Sequence, residues 1–263
     1  MDKRSQLALK ADALQRFLMN NMLSGMLPLY IVTEYPKSGG TWVAQMLSAY
    51  LDLPFPRNER PKVRSCIMHG HYLYSPFMKN VICVLRDGRD VVVSAYYHML
   101  FPNDRNSPCL VERSRRQNVF DDYEDITFNL PRFMEYLFTV ENKRFLHFNW
   151  NEFVESWLNK PNATMVKYED MLTDAAQTLR PTIESTTGIT VDIQKLKKIE
   201  EKFSFKRMAR REPGMEDSAS FLRKGIAGDW KNKFDKTACE VFDHYAGENL
   251  IRMGYEKDRS WIM

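Results

Sequence analysis

Nine residues, Glu34-Tyr35-Pro36-Lys37-Ser38-Gly39-Gly40-Thr41-Trp42, set the strongest limit on what this chain folds into. They follow a short apolar run, Leu29 to Thr33, that reads as a buried strand, and they lead into Val43 to Tyr50, whose apolar spacing reads as a helix. A strand, a glycine turn and a helix start make an anion cradle. Backbone N–H groups converge at the helix N-terminus, where the dipole favours phosphate or sulfate. The loop of nucleoside-triphosphate enzymes, G-x-x-x-x-G-K-S/T, has Lys directly before the hydroxyl residue. Here Gly40 holds that place and Lys37 lies three positions earlier. The cradle is P-loop-like without being a Walker A loop.

Further apolar runs carry polar clusters at their ends. Val63 to Met68 reads as a second strand ending at His69-Gly70-His71, and Asn80 to Leu85 as a third ending at Arg86-Asp87-Gly88-Arg89-Asp90. Helices are expected over Val91 to Leu100, Pro131 to Phe148, Trp150 to Leu158, Asp174 to Thr186, Asp192 to Glu201 and Asp229 to Met253, with one more strand at Ala163 to Lys167. Strands alternating with helices predict an α/β fold: a P-loop-like parallel sheet flanked by helices on both faces, with ligands at the carboxyl ends of the strands. Pro102 to Phe128 is polar, and a connection of that length suits a lid; Arg113, Arg115 and Arg116 read more simply as a solvated run.

Composition excludes more than it selects. At 263 residues one α/β core is enough, so residues 1–263 are expected to form a single domain. A net charge of +4 suits an anionic ligand but gives no argument for nucleic acid. Cys66, Cys83, Cys109 and Cys239 lack C-x-x-C spacing, and Cys66 and Cys83 fall in apolar runs, so reduced buried thiols and a cytoplasmic protein are expected. Met1 to Leu29 has no apolar run long enough for a signal sequence or a membrane span and reads as an amphipathic helix.

Two more clusters point to phosphate. Arg86, at a strand end, is placed for a forked contact, and Ser94 lies eight residues on, two helical turns along the same side. Arg223-Lys224-Gly225 offers two cations and a backbone open to close approach, within Arg223-Lys224-Gly225-Ile226-Ala227-Gly228-Asp229-Trp230-Lys231-Asn232.

In order, these three segments resemble the motifs of sulfotransferases that use 3′-phosphoadenosine 5′-phosphosulfate (PAPS). That family carries Y-P-K-S/T-G-T/S-T-W, and Lys37, Ser38, Gly39, Thr41 and Trp42 match it, with Gly40 departing from the commoner Thr or Ser. It carries R-N/D-x-K/R-D-x-x-x-S, matched by Arg86, Asp87, Arg89, Asp90 and Ser94, and R-K-G-x-x-G-D-W-K-N, matched at every fixed position. The resemblance spans Tyr35 to about Phe234. It implies that Lys37 to Thr41 take the phosphosulfate and that Arg86, Ser94, Arg223, Lys224 and Gly225 take the 3′-phosphate. Trp42, Tyr168 and Phe205 would surround the adenine. It also implies a His base within K-T-H at the end of the second strand; here His71 aligns with that base and His69 replaces the Lys. The donor would be PAPS, no metal is implied, and the acceptor would be a hydroxyl or amine of a small molecule or glycan. Many relatives carry a K-x-x-x-T-V-x-x-x-E dimer motif; Asp235-Lys236 stands in place of its Thr-Val, which puts that dimer in doubt. Two alternatives stand beside this reading: a nucleotide-dependent kinase on the same scaffold, disfavoured by the position of Lys37, and a non-catalytic module for sulfated or phosphorylated ligands, favoured only by His69.

Overall fold

The computed structural model describes residues 6–57, 59, 62–139 and 147–262, and the side chains from residue 11 onward. In chain order the elements are α1 (Gln6–Leu18) running into a π-helical turn (Met19–Leu23), β1 (Leu29–Glu34), α2 (Gly40–Leu51), β2 (Cys66–Gly70), β3 (Val81–Leu85), α3 (Gly88–Leu100), α4 (Pro108–Gln117), α5 (Ile126–Phe138), α6 (Trp150–Trp157), β4 (Ala163–Lys167), α7 (Tyr168–Thr187), α8 (Ile193–Lys202), α9 (Phe205–Ala209), a 3-10 turn (Asp229–Asn232), α10 (Lys236–Arg252) and a last 3-10 turn (Arg259–Trp261). The chain forms two compact units. One comprises residues 1–34, 39–85 and 157–203; the other comprises 35–38, 86–156 and 204–263.

The first unit holds the sheet, four parallel strands in the order β2-β1-β3-β4. Its central strands read as near-continuous apolar runs because both faces are covered, and the expected α/β class with a parallel sheet is what forms. On one face Val32, Ile67, Ile82, Val84 and Val166 meet Val43, Met46 and Leu47 of α2, Met171 and Leu179 of α7 and Leu196 of α8. The i, i+3, i+4 spacing of Val43, Met46 and Leu47 is what turns that stripe inward. On the other face Ile31, Met68 and Cys83 are equally buried.

The second unit is helical. Asp87 caps α3 by accepting from the N–H of Arg89, Ser107 caps α4, and Asp125 caps α5. Arg89 is its least expected core residue. Its guanidinium lies 3.7 Å from the Trp230 ring centroid, forks onto Asp87 and reaches Glu256 at 2.6 Å, with 2% exposure.

Several boundaries differ from the expected ones. The second strand begins at Cys66, so His69 and Gly70 lie within it, and Val63 to Ser65 do not pair. The 102–128 connection contains α4, started by Ser107 and Pro108, and Arg115 there donates to the Leu100 carbonyl and lies over Tyr123. The fifth helix begins at Ile126, with Pro131 inside it, because Asp125 supplies the cap; the stretch 140–146 of the expected helix lies outside the described residues, as do 58, 60 and 61 of the Pro54 to Lys62 connection. Asp229 to Met253 is broken at Lys233, and Asp235 caps α10. In α7 the backbone breaks helical geometry at Asp174, so the expected helix from that residue is preceded by a further turn and a half from Tyr168. Cys66, Cys83, Cys109 and Cys239 are all free thiols, and burial pushes the first two above their ordinary range. Among the described residues no helix is long and apolar enough to cross a membrane.

Candidate active site

In the first unit the site is built at the ends of β1 and β2. Strand alternation puts Glu34 on the same face as Val32, and its side chain turns inward. Glu34 Oε2 accepts from the Gly40 N–H at 2.5 Å, and Oε1 accepts from His69 Nε2 at 2.9 Å. The carboxylate is 4% exposed. Burial alone would raise its pKa. The His69 hydrogen bond, the charge that His69 and His71 carry when protonated and the Gly40 N–H outweigh that and hold it below the usual range, so it is ionised at neutral pH.

His71 follows β2, and its Nδ1 lies 2.9 Å from the Glu34 backbone carbonyl. A carbonyl only accepts, so Nδ1 carries the proton and Nε2 keeps its lone pair. Burial pushes the His71 pKa below its ordinary value, against the pull of the Glu34 charge and carbonyl. The result is a neutral imidazole with one basic nitrogen. His69 and His71 stand edge to face, 5.7 Å between ring centroids.

Gly39 begins the turn into α2 with φ +94°, the left-handed region that favours glycine. A Cβ there would lie 2.6 Å from the Tyr168 ring, so the loop backbone sits against that ring. Trp42 meets the same ring edge-on at 6.3 Å. Gly39 carries no capping side chain, which leaves the first N–H groups of α2 to other acceptors. Thr41 is half-buried in that first turn.

The second unit holds the loop's earlier half. Lys37 also has positive φ (75°), and its Nζ lies 3.7 Å from the Phe221 ring centroid. Ser38 is buried, and its Oγ finds no hydrogen-bond partner among the described residues. Arg86 donates to the Lys37 carbonyl at 3.0 Å and to the Ile226 carbonyl at 3.3 Å, tying the loop to the third motif. Asp90 completes that tie by accepting the N–H groups of Gly228 and Trp230. Ser94 is half-buried on α3. One turn on, His98 has its pKa pushed down to about 4 by burial and by the Lys37 charge.

Arg223 pairs with Asp229 at 2.6 Å and Glu216 at 2.5 Å, and Lys224 pairs with Asp229 at 2.5 Å. Burial works against the Asp229 and Glu216 carboxylates, but these cations hold both below the usual range. Phe205 opens α9, and its ring fills the space a Gly225 Cβ would need. The first unit thus brings together Gly39, Gly40, Thr41, Trp42, Tyr168, His69 and His71. The second brings together Lys37, Ser38, Arg86, Arg223, Lys224, Gly225 and Phe205.

Four residues at these sites had no role assigned from sequence. An acid closing an apolar strand was the available signal for Glu34, and i+4 spacing from Ser94 was the signal for His98. Asp229 is a fixed position of the third motif, which was its signal; Glu216 gave none, because a polar segment does not disclose which acid meets which cation.

Residues 56–254 match the family described as the sulfotransferase domain. The chain belongs to the sulfotransferase family. The matched span begins after the loop at 34–42 and includes the two histidines and the second and third motifs. Among curated sulfotransferases, sulfotransferase 1E1 of Cavia porcellus is 25% identical, over 82% of this chain and 81% of that one. Sulfotransferase 2A1 of Homo sapiens is 22% identical, over 86% and 85%. The fold is similar to that of mouse sulfotransferase SULT7A1, solved with PAP (TM-score 0.58, 19% identity, 88% of this chain and 89% of that one). It is also similar to that of retinol dehydratase, solved with retinol and PAP (TM-score 0.59, 18% identity, 93% and 86%).

Proposed function

We propose that this sulfotransferase takes PAPS as donor and moves its sulfuryl group to a hydroxyl of a small-molecule acceptor, with His71 as general base. The observation that carries the reading is the state of His71. Its Nδ1–H is committed to the Glu34 carbonyl, burial keeps the ring neutral, and Nε2 is left to accept the acceptor's proton. The loop residues fit an anionic donor. Ser38 Oγ is a buried hydroxyl with no partner among the described residues, and the N-cap of α2, Gly39, brings no capping side chain of its own, Glu34 taking only the Gly40 N–H. PAPS would supply the sulfuryl group and depart as adenosine 3′,5′-bisphosphate.

Each residue then has one task. Lys37 and Ser38, with the turn at Gly39, Gly40 and Thr41, bind the phosphosulfate and oppose charge growing on the bridging oxygen. Arg86, Ser94, Arg223 and Lys224 hold the 3′-phosphate, and Trp42, Tyr168 and Phe205 contact the adenine. The small-molecule class of acceptor is carried over from relatives such as retinol dehydratase, solved with retinol or androsterone and PAP.

The test is transfer of labelled sulfate from PAPS across steroid, retinoid and phenolic alcohols, beside calorimetric binding of adenosine 3′,5′-bisphosphate and ATP. Labelled product with micromolar bisphosphate binding is expected. Binding of ATP but not of the bisphosphate sinks the donor assignment; tight bisphosphate binding without transfer to any acceptor counts against the enzyme reading.

A further inference from the structure

Of the three places where the chain departs from the family's site pattern, Gly40, His69 and Gly70, the first two carry the groups that bond to the Glu34 carboxylate, while a Cβ at Gly70 would meet the Tyr72 ring instead. That coincidence has a steric basis. A Cβ at position 40 would lie 2.8 Å from Glu34 Cδ, 3.0 Å from Cγ and 3.1 Å from Oε1. The obstacle is the carboxylate end of a buried side chain, held by a hydrogen bond at each oxygen, so it cannot swing aside without breaking them. A Thr or Ser at position 40 and this Glu34 conformation therefore exclude each other. His69 fits the same arrangement: an ionised carboxylate only accepts, and His69 Nε2–H supplies the second donor that an acid buried to 4% exposure requires.

Glu34 reaches further by its own backbone. Its carbonyl fixes the proton of His71 on Nδ1. One residue thus orients the turn into α2 through Gly40, orients His69 through Oε1 and selects the tautomer of His71. The groups facing this carboxylate are His69 and His71 from β2 and its end, the Cys83 thiol from β3 and the α2 N-terminus; Arg57 adds positive charge near His71.

We propose that Glu34 is the positioning residue of the acceptor-side site, and that Gly40 and His69 are its steric and hydrogen-bonding counterparts, one linked change rather than two independent ones. This rests on the reading of His71 as base only for its consequence in turnover; the linkage itself is measurable without turnover.

The test has two arms. The first is a double-mutant cycle on Gly40→Ala and Glu34→Ala, read by bisphosphate affinity and melting temperature. Gly40→Ala is expected to weaken bisphosphate binding about tenfold in the natural background and to have little effect once Glu34 is Ala. Equal penalties in both backgrounds overturn the linkage. The second arm uses Glu34→Gln, which keeps shape and removes charge, with His71 titrated by NMR. Glu34's charge favours the imidazolium, so its loss is expected to move the His71 titration to lower pH. An unmoved titration overturns the positioning role. Should the NMR titration move while the acid limb of turnover stays put, the linkage stands and the base assignment falls.

Discussion

Glu34 in the first unit and Asp229 in the second are both carboxylates buried among groups suited to binding an anion, and they are neutralised in opposite ways. Glu34 is held by one backbone N–H and one imidazole. Asp229 is held by Arg223 and Lys224, each through a charged contact of 2.6 Å or less. A guanidinium and an ammonium keep their charge through the whole range in which an enzyme works; an imidazole does not. The second unit is therefore a fixed-charge site and the first a site whose charge can vary. Binding a phosphate suits fixed charge. Taking up a proton in each cycle requires a group that titrates.

The largest effect that sharpens this contrast is expected at His71. A general base contributes about 10²–10⁴-fold, so His71→Ala is expected to lower single-turnover rate by that factor and leave bisphosphate affinity within a few-fold. Comparable losses in rate and affinity would mean that His71 holds donor, not acceptor proton. His69→Ala is expected to cost less, since His69 already spends Nε2–H on Glu34.

Next is Arg86→Ala. Losing a charged hydrogen bond in a buried site costs about 1.5–3 kcal/mol, or roughly 10- to 150-fold in affinity. Adenosine 3′,5′-bisphosphate is expected to weaken by that factor and adenosine 5′-phosphate, which lacks the 3′ group, far less. Arg86 also ties the Lys37 and Ile226 carbonyls, so an equal fall for both nucleotides would assign it to loop architecture instead.

The contrast also predicts two different pH profiles. His71 has its pKa lowered, so it becomes cationic, and loses its basic nitrogen, only below the ordinary imidazole value. The acid limb of turnover is expected below about pH 6.5. Asp229 and Glu216 also have lowered values and Arg223 a raised one, so none of them titrates near neutrality. Bisphosphate affinity is accordingly expected to change through that limb only as the ligand's own phosphates take up protons, at about pH 6. The sign for stability follows: carboxylates depressed in the fold contribute above their ordinary range, and the contribution is lost as pH falls through the folded value. A fall in affinity through the limb that exceeds the protonation of the ligand, titrated alone, would place a titrating group among the phosphate ligands.

Much of this was legible in the sequence where chemistry is local. Strand, glycine turn and helix at 29–51 follow from periodicity and from the conformation Gly39 must adopt. The three motifs were legible because each is a contiguous run. What was not legible was pairing at a distance. Arg89 sits in a motif of phosphate ligands, yet it lies against Trp230 and reaches Glu256, 167 positions away. Gly40 departs from the commoner Thr or Ser, and the space its side chain would take is filled by Glu34. In both cases the residue type was visible, and its neighbour was chosen by the fold.

The smallest expected effect tests the fixed-charge site itself. Glu216 occupies Arg223 Nη1 at 2.5 Å and stands 3.6 Å from Lys224, so a bound 3′-phosphate and this carboxylate would compete for the same cations. Unlike Asp229, with 1% side-chain exposure, Glu216 is 30% exposed, and water screens its pull. Pairs of that kind are worth about 0.2–1 kcal/mol. Glu216→Gln keeps a hydrogen-bonding oxygen and removes the charge, so bisphosphate affinity is expected to rise about two- to fivefold, most at low salt. Asp229→Asn differs in kind: it leaves two cations facing a buried amide and is expected to lower the melting temperature as well. A fall in affinity for Glu216→Gln would reverse the role, making Glu216 a brace that holds Arg223 in place for the phosphate and extending the fixed framework by one residue.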